Sequence, residues 1–217
     1  MQQAMGDHGG TALAAFLLRH PEFASVHASA GEPGFIASST MTLALDPPRL
    51  RERLFGGLAV PIVHQQLSGQ VARVLESRIG VACGGEPSPG ALLALGADGL
   101  RSLGLSASKA RALLGLAEEV DSGRLALESM LEMDDDAISA RLCELWGFGP
   151  WSAHMFLLFT LGRMDVWAPA DLGVRKGYAK LYGLTELPTS RELAAEKERY
   201  SPNASIATWY LWRVLEF

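Results

Sequence analysis

Thiols are scarce in this chain: Cys83 and Cys143 are the only two among 217 residues. So few, so far apart, they support neither a disulfide framework nor a cysteine-built zinc site or iron–sulfur cluster. A reducing cytoplasm is the compartment they fit. A run of roughly 20 apolar residues, the length a bilayer span requires, is also missing. The apolar stretch from Ala12 to Leu18 has no basic leader and no clear cleavage site, so no signal peptide and no membrane partner are expected. Basic charge is short as well. A formal net charge of −5 leaves no overall electrostatic footprint for nucleic acid. DNA is still possible as a ligand, because backbone N–H groups bind phosphate without entering a charge count. No repeat at solenoid period is visible.

What is present suits a well-packed globular chain. Hydrophobic residues make up 48% of the sequence and charged residues 20%, enough for one large domain or two small, closely packed helical ones. Residues 1–50 form an N-terminal segment of uncertain structure. It holds a short helix candidate, Ala12–Arg19, and a phrase, Ile36–Leu45, whose composition weakly favours a short β element. Asp46-Pro47-Pro48 stops that phrase. Residues 51–217 read as a mainly α, compact helical bundle. One long helix, or two joined around Gln65-Gln66, leads into helices near Ala91–Leu95, Ser106–Asp121, Asp135–Trp146, Trp151–Leu161, Leu172–Tyr182 and Ala204–Glu216. The acidic run Glu132–Asp136 is read as a helix start rather than a metal site, since carboxylates there complement the helix dipole.

The segment Leu142–Ala153 carries the most information. A helix with Ile138, Leu142 and Leu145 on one face runs into Gly147-Phe148-Gly149, and a second helix begins at Pro150. Proline suits that first turn because its missing N–H had no partner to lose. Paired glycines let the chain reverse tightly and bring bare backbone near another surface. Phe148 then plugs the space between the helices, while amides near Gly149 open an anion site at a helix N-terminus. A ligand-free helix–helix turn is the simpler alternative. The pattern Leu-x-Gly-apolar-Gly-x-x-Ser-Ala, ending in Ser152-Ala153, is much more specific than a glycine pair. By it the chain resembles the helix-hairpin-helix DNA glycosylase superfamily. That resemblance implies a fold of two helical subdomains with a cleft, and a hairpin that grips the phosphates of one DNA strand. It also implies an optional sodium or potassium ion on the backbone carbonyls of Cys143, Leu145 and Phe148, with no other cofactor required. Trp146 departs from the proline common at its position.

A second segment, Asp165–Gly177, resembles the 3-methyladenine DNA glycosylase II branch in its Asp-Leu-Gly-Val-Arg-Lys-Gly phrase. The resemblance spans roughly Leu58 to Trp212. It implies that Asp171 is the catalytic carboxylate, although Asp171 is also well placed to be an ordinary helix N-cap. Asp165 is the alternative acid and reads as structural. Ala170 stands where many relatives carry a second acid, leaving Asp171 alone in the motif. Lyase members of the superfamily have a lysine at the position of Trp151, whose amine forms a Schiff base. Tryptophan cannot, so base removal without strand cleavage is expected.

The same resemblance implies base flipping, with Trp151, Trp212 and Phe156 lining a pocket for an electron-poor base. Trp209 is a weaker candidate, and every one of these aromatics could instead be core. Gln65, Gln66 and Leu67 sit on a helix end similar to the one beside the minor groove in the family, with Gln66 or Leu67 as the wedge. The neighbouring His64 reads as packed or superficial. Phosphate contacts are expected from Gly147, Phe148, Gly149 and Ser152, and from Lys109 and Arg175. Ser106, Ser108, Arg111 and Lys176 share those stretches, and both stretches could equally be solvated faces. The expected partner is double-stranded DNA carrying damaged bases, bound by a monomer. A non-catalytic DNA clamp and a glycosylase for other damaged or deaminated bases are the rival readings.

Overall fold

The computed structural model describes residues 8–217, so residues 1–7 of the N-terminal segment lie outside the described residues. In chain order the helices are α1 His8–Arg19, α2 Ala24–Ala30, α3 Ser38–Leu43, α4 Pro47–His64, α5 Gly69–Cys83, α6 Pro89–Ser102 and α7 Ala107–Asp121. They continue with α8 Asp135–Cys143, α9 Pro150–Met155, α10 Leu172–Leu181, α11 Ser190–Ala194, α12 Lys197–Tyr200 and α13 Ala204–Arg213. Short 3-10 turns and one π turn, Phe156–Thr160, complete the regular structure. Among the described residues no helix is long and apolar enough to cross a membrane.

Many of these helices begin where the sequence says they should. Asp46, Ser68, Ser88, Ser106, Asp134 and Asp171 are N-caps whose side chains accept a backbone N–H three residues on. Each cap satisfies a donor that the first helical turn leaves over. The acidic run is a helix start, with Asp134 accepting from the Ala137 amide at 2.7 Å. No group of acidic, histidine or cysteine side chains suited to a metal occurs among the described residues.

The short β element is overturned. No strand occurs among the described residues, and the phrase Ile36–Leu45 is a 3-10 turn, Gly34–Ala37, running into α3. A lone strand has no neighbour to take up its ladder bonds, whereas a helix pairs its amides locally. Thr42, 2% exposed, ties α3 down by donating its hydroxyl to the Thr160 carbonyl at 2.9 Å. Nor is there a break after residue 50, which is interior to α4.

The described residues form two compact units. One spans Thr40–Leu161 and is built around α4. Leu54, Leu58 and Ile62 are each 0% exposed on that helix, one turn apart, with Phe55 beside them. This apolar stripe is what an amphipathic helix offers a core, and α5, α7, α9 and the π turn pack against it. The other unit comprises the described residues up to Ser39 together with Gly162–Phe217. Phe16, Phe23, Tyr200 and Tyr210 are fully buried there. Its central contact is α10 on α13, made possible by Gly177. A Cβ at that position would run into the Leu211 backbone carbonyl.

Candidate active site

The hairpin lies in the unit Thr40–Leu161 and is shaped mostly by its own backbone. α8 stops at Cys143, three residues short of the expected end, and the chain turns through Gly147, whose φ of +88° suits glycine. The turn also rests on α7: a Cβ at Gly147 would stand 2.6 Å from Cβ of Ala112. Phe148 is half-buried and donates its amide to the Leu145 carbonyl at 3.1 Å. Gly149 is extended and caps α9, with Pro150 in the first turn as expected. The carbonyl oxygens of Cys143, Leu145 and Phe148 are hard, neutral donors of a kind that suits a monovalent cation. Leu145's keeps a second lone pair beyond the bond it accepts from Phe148.

Ser152, expected at a phosphate, and Gln65, expected beside the minor groove, bond to each other. Ser152 is 1% exposed, so its hydroxyl is not offered to a duplex. Gln65 reaches it at 3.1 Å and donates to the Gly147 carbonyl at 2.9 Å through the same amide nitrogen. Gln65 therefore ties the end of α4 to the turn, acting as a brace from behind. The wedge candidates fare differently. Gln66 is exposed and holds a φ of +56°, the left-handed region in a residue that has a Cβ. Such a conformation costs on the order of 1 kcal/mol and persists where the surroundings impose it. Leu67 beside it is 38% exposed. His64 pairs with Glu76 at 2.8 Å.

An open cavity of about 740 Å³ lies against the helix that follows the hairpin. Trp151, Met155 and Phe159 line it at four-residue spacing, faced by Val60 and Pro61 of α4. Phe156, expected to line the base pocket, is instead 0% exposed and belongs to the core. The usable signal was Trp151 itself, since residues at i, i+4 and i+8 share its face. Trp209 is also buried, at 7% exposure.

Asp171 lies in the other unit and is half-buried. Its Oδ1 accepts the Val174 amide at 2.8 Å, the N-cap bond of α10. The same oxygen accepts the indole N–H of Trp212 at 2.8 Å. Trp212, expected as a stacking face of the base pocket, thus serves through its edge: it fixes the carboxylate. A half-buried indole donor wants a partner, and an acid at a helix mouth was the nearest candidate in the motif. Asp165 is structural, as expected. Its oxygens accept the Ser201 hydroxyl at 2.9 Å and the Ala204 amide at 3.1 Å, holding the start of α13.

The basic residues divide in the same way. Lys109 donates Nζ to the Val63 carbonyl at 2.6 Å, closing the end of α4, and burial pushes its ammonium below the ordinary lysine range. Arg175 donates Nε to the Pro188 carbonyl at 2.7 Å. Both expected phosphate contacts are thereby engaged in holding their own units. Lys176 is exposed.

Comparison with known proteins gives the family. Residues 60–202 match the family described as HhH-GPD superfamily base excision DNA repair protein. The chain is 30% identical over 162 residues to YfjP of Bacillus subtilis, covering 71% of this chain and 56% of that protein. It therefore spans little more than half of that relative's length. The 3-methyladenine DNA glycosylase of Schizosaccharomyces pombe, solved in complex with abasic DNA, superposes with a TM-score of 0.72 at 29% identity. That match covers 76% of this chain and 81% of the other. The DNA-3-methyladenine glycosidase of Bacillus halodurans gives a TM-score of 0.70 at 28% identity, over 93% and 87% of the two chains.

Proposed function

Because the chain belongs to the HhH-GPD superfamily of base excision DNA repair proteins, we propose that it is a monofunctional DNA glycosylase acting on alkylated purines such as 3-methyladenine. It works as a monomer on double-stranded DNA and leaves an abasic site in an uncut strand. The substrate class follows the names of its relatives. The reaction type follows the residues.

One observation carries the reading. The Asp171 carboxylate is held by two N–H donors, the Val174 amide and the Trp212 indole, both at 2.8 Å from Oδ1. Breaking an N-glycosidic bond transfers the bonding electron pair to the base and leaves positive charge on the deoxyribose. A carboxylate fixed in advance stabilises that cation without having to reorganise. It can also orient the water whose oxygen bonds to the sugar carbon, and accept its proton. An alkylated purine leaves as a neutral base because it was already cationic, so little acid catalysis of departure is needed.

The remaining residues have separable roles. The cavity beside Trp151, Met155 and Phe159 takes the flipped base, with the indole face attracting a cationic ring. Gln66 or Leu67 fills the gap left in the duplex. The hairpin amides near Gly149 take a phosphate. A monovalent cation on the carbonyls of Cys143, Leu145 and Phe148 would add positive charge to that turn. With no amine at Trp151, no Schiff base forms and the strand stays intact.

The test is direct. Incubation with methylated duplex DNA, followed by mass spectrometry of released bases, is expected to yield 3-methyladenine with no strand cleavage. Asp171→Asn is expected to slow release by about 10²–10³-fold while duplex binding persists. Release at the unmutated rate from that variant removes the catalytic assignment and leaves only a DNA clamp.

A further inference from the structure

Besides Lys109, which donates to the Val63 carbonyl, α7 carries one further cation, Arg111, beside the hairpin. The Arg111 guanidinium lies over the Trp146 ring, 4.1 Å from its centroid. Both side chains are exposed, Trp146 at 48%, an unusual position for a large aromatic. No carboxylate pairs with Arg111 among the described residues. Arg111 and Trp146 immediately precede Ala112 and Gly147, where α7 and the turn approach closely, so the pair lies beside the hairpin.

We propose that Arg111, held flat by Trp146, is a phosphate-binding residue that extends the hairpin's grip along the DNA backbone. A guanidinium stacked on a ring keeps its in-plane N–H edge for hydrogen bonding, and that edge matches the paired oxygens of a phosphodiester. Stacking also removes, before DNA arrives, much of the rotational freedom that a loose arginine would lose on binding. An arginine whose role was only to shield the indole would need no such freedom from carboxylates. The pair supplies locally the positive charge that the chain lacks overall, and it carries no sequence information, as suits a protein that must scan any duplex.

The inference rests on the glycosylase reading only through DNA binding, and a salt titration separates the two. Binding of the full chain to a duplex containing an abasic-site analogue is followed by fluorescence anisotropy from about 50 to 200 mM salt. Arg111→Gln is expected to weaken binding and to flatten the slope of log affinity against log salt by about one phosphate contact. Trp146→Leu keeps the charge, so its slope should match the unmutated protein while affinity drops about two- to fivefold. Arg111→Lys should keep the slope and lose part of the affinity. An Arg111→Gln protein with unmutated slope and affinity overturns this contact and leaves the glycosylase reading intact. An unmutated protein that binds no duplex at all overturns both.

Discussion

The hairpin and the Asp171 segment are both short, glycine-bearing and helix-initiating, yet they are built on opposite plans. In the hairpin the working atoms belong to the backbone. A positive φ at Gly147, an extended Gly149 and Pro150 at the first turn of α9 dispose the amides from within a few consecutive residues. In the Asp171 segment the working atom belongs to a side chain, and the indole that donates to it comes from Trp212, 41 residues away. The first arrangement is a property of local chain geometry. The second exists only once α10 has docked on α13. It follows that the two regions should fail differently when mutated.

The largest effect is expected at the docking surface. A methyl group at Gly177 meets the Leu211 backbone, which cannot swing aside as a side-chain end can. Gly177→Ala should cost about 1–3 kcal/mol, the range for overpacking a tight contact. Thermal unfolding should register that loss, and base release should fall with it. A variant of unchanged melting temperature and activity would mean that α10 and α13 are not held as closely as described. A smaller and more selective effect is expected at Trp212→Phe, which keeps an aromatic ring and deletes the donor. Loss of one hydrogen bond to a charged group corresponds to about 1.5 kcal/mol, or roughly tenfold in the chemical step. Single-turnover release at saturating DNA should show that drop while the Kd for duplex stays within about twofold. A weaker Kd with an unchanged rate would return Trp212 to the pocket-wall role first expected of it.

The same contrast explains what was legible in the sequence. Caps, the glycine turn and the break between α4 and α5 at Gln65-Gln66 are local events, and the residues announce them. The capping role of Asp171 was visible because it opens α10 within a recognisable phrase. What escaped depends on three-dimensional neighbours. Phe156 and Phe159 are equally aromatic on paper, and only the packing of the π turn decides that the first is core and the second lines a cavity. Lys109 and Arg111 are equally basic and two positions apart. One is pulled in to the end of α4 and the other lies out over Trp146. The phrase Ile36–Leu45 misled because strand preference depends on neighbouring strands, and none are present among the described residues.

Gln65 is where the contrast can be broken. If glycine and proline geometry alone rigidify the hairpin, the brace from α4 is dispensable, and the turn is as local as its motif suggests. Its hydrogen bonds argue otherwise. The Gly147 carbonyl and the buried Ser152 hydroxyl share one amide nitrogen, at 2.9 and 3.1 Å, so a single side chain fixes both the apex of the turn and the first turn of α9. Gln65→Ala strips a donor from a hydroxyl that is 1% exposed and from which water is excluded. The expected cost is about 1 kcal/mol, read as a roughly fivefold weaker Kd for duplex as the amides near Gly149 lose their fixed aim. No charge changes, so the salt dependence should be that of the unmutated protein, in contrast to Arg111→Gln. An unchanged Kd would make the hairpin self-sufficient and the division between backbone-built and side-chain-built regions complete. The expected loss would instead mean that even a backbone site borrows its rigidity from a distant side chain, as the Asp171 carboxylate does from Trp212.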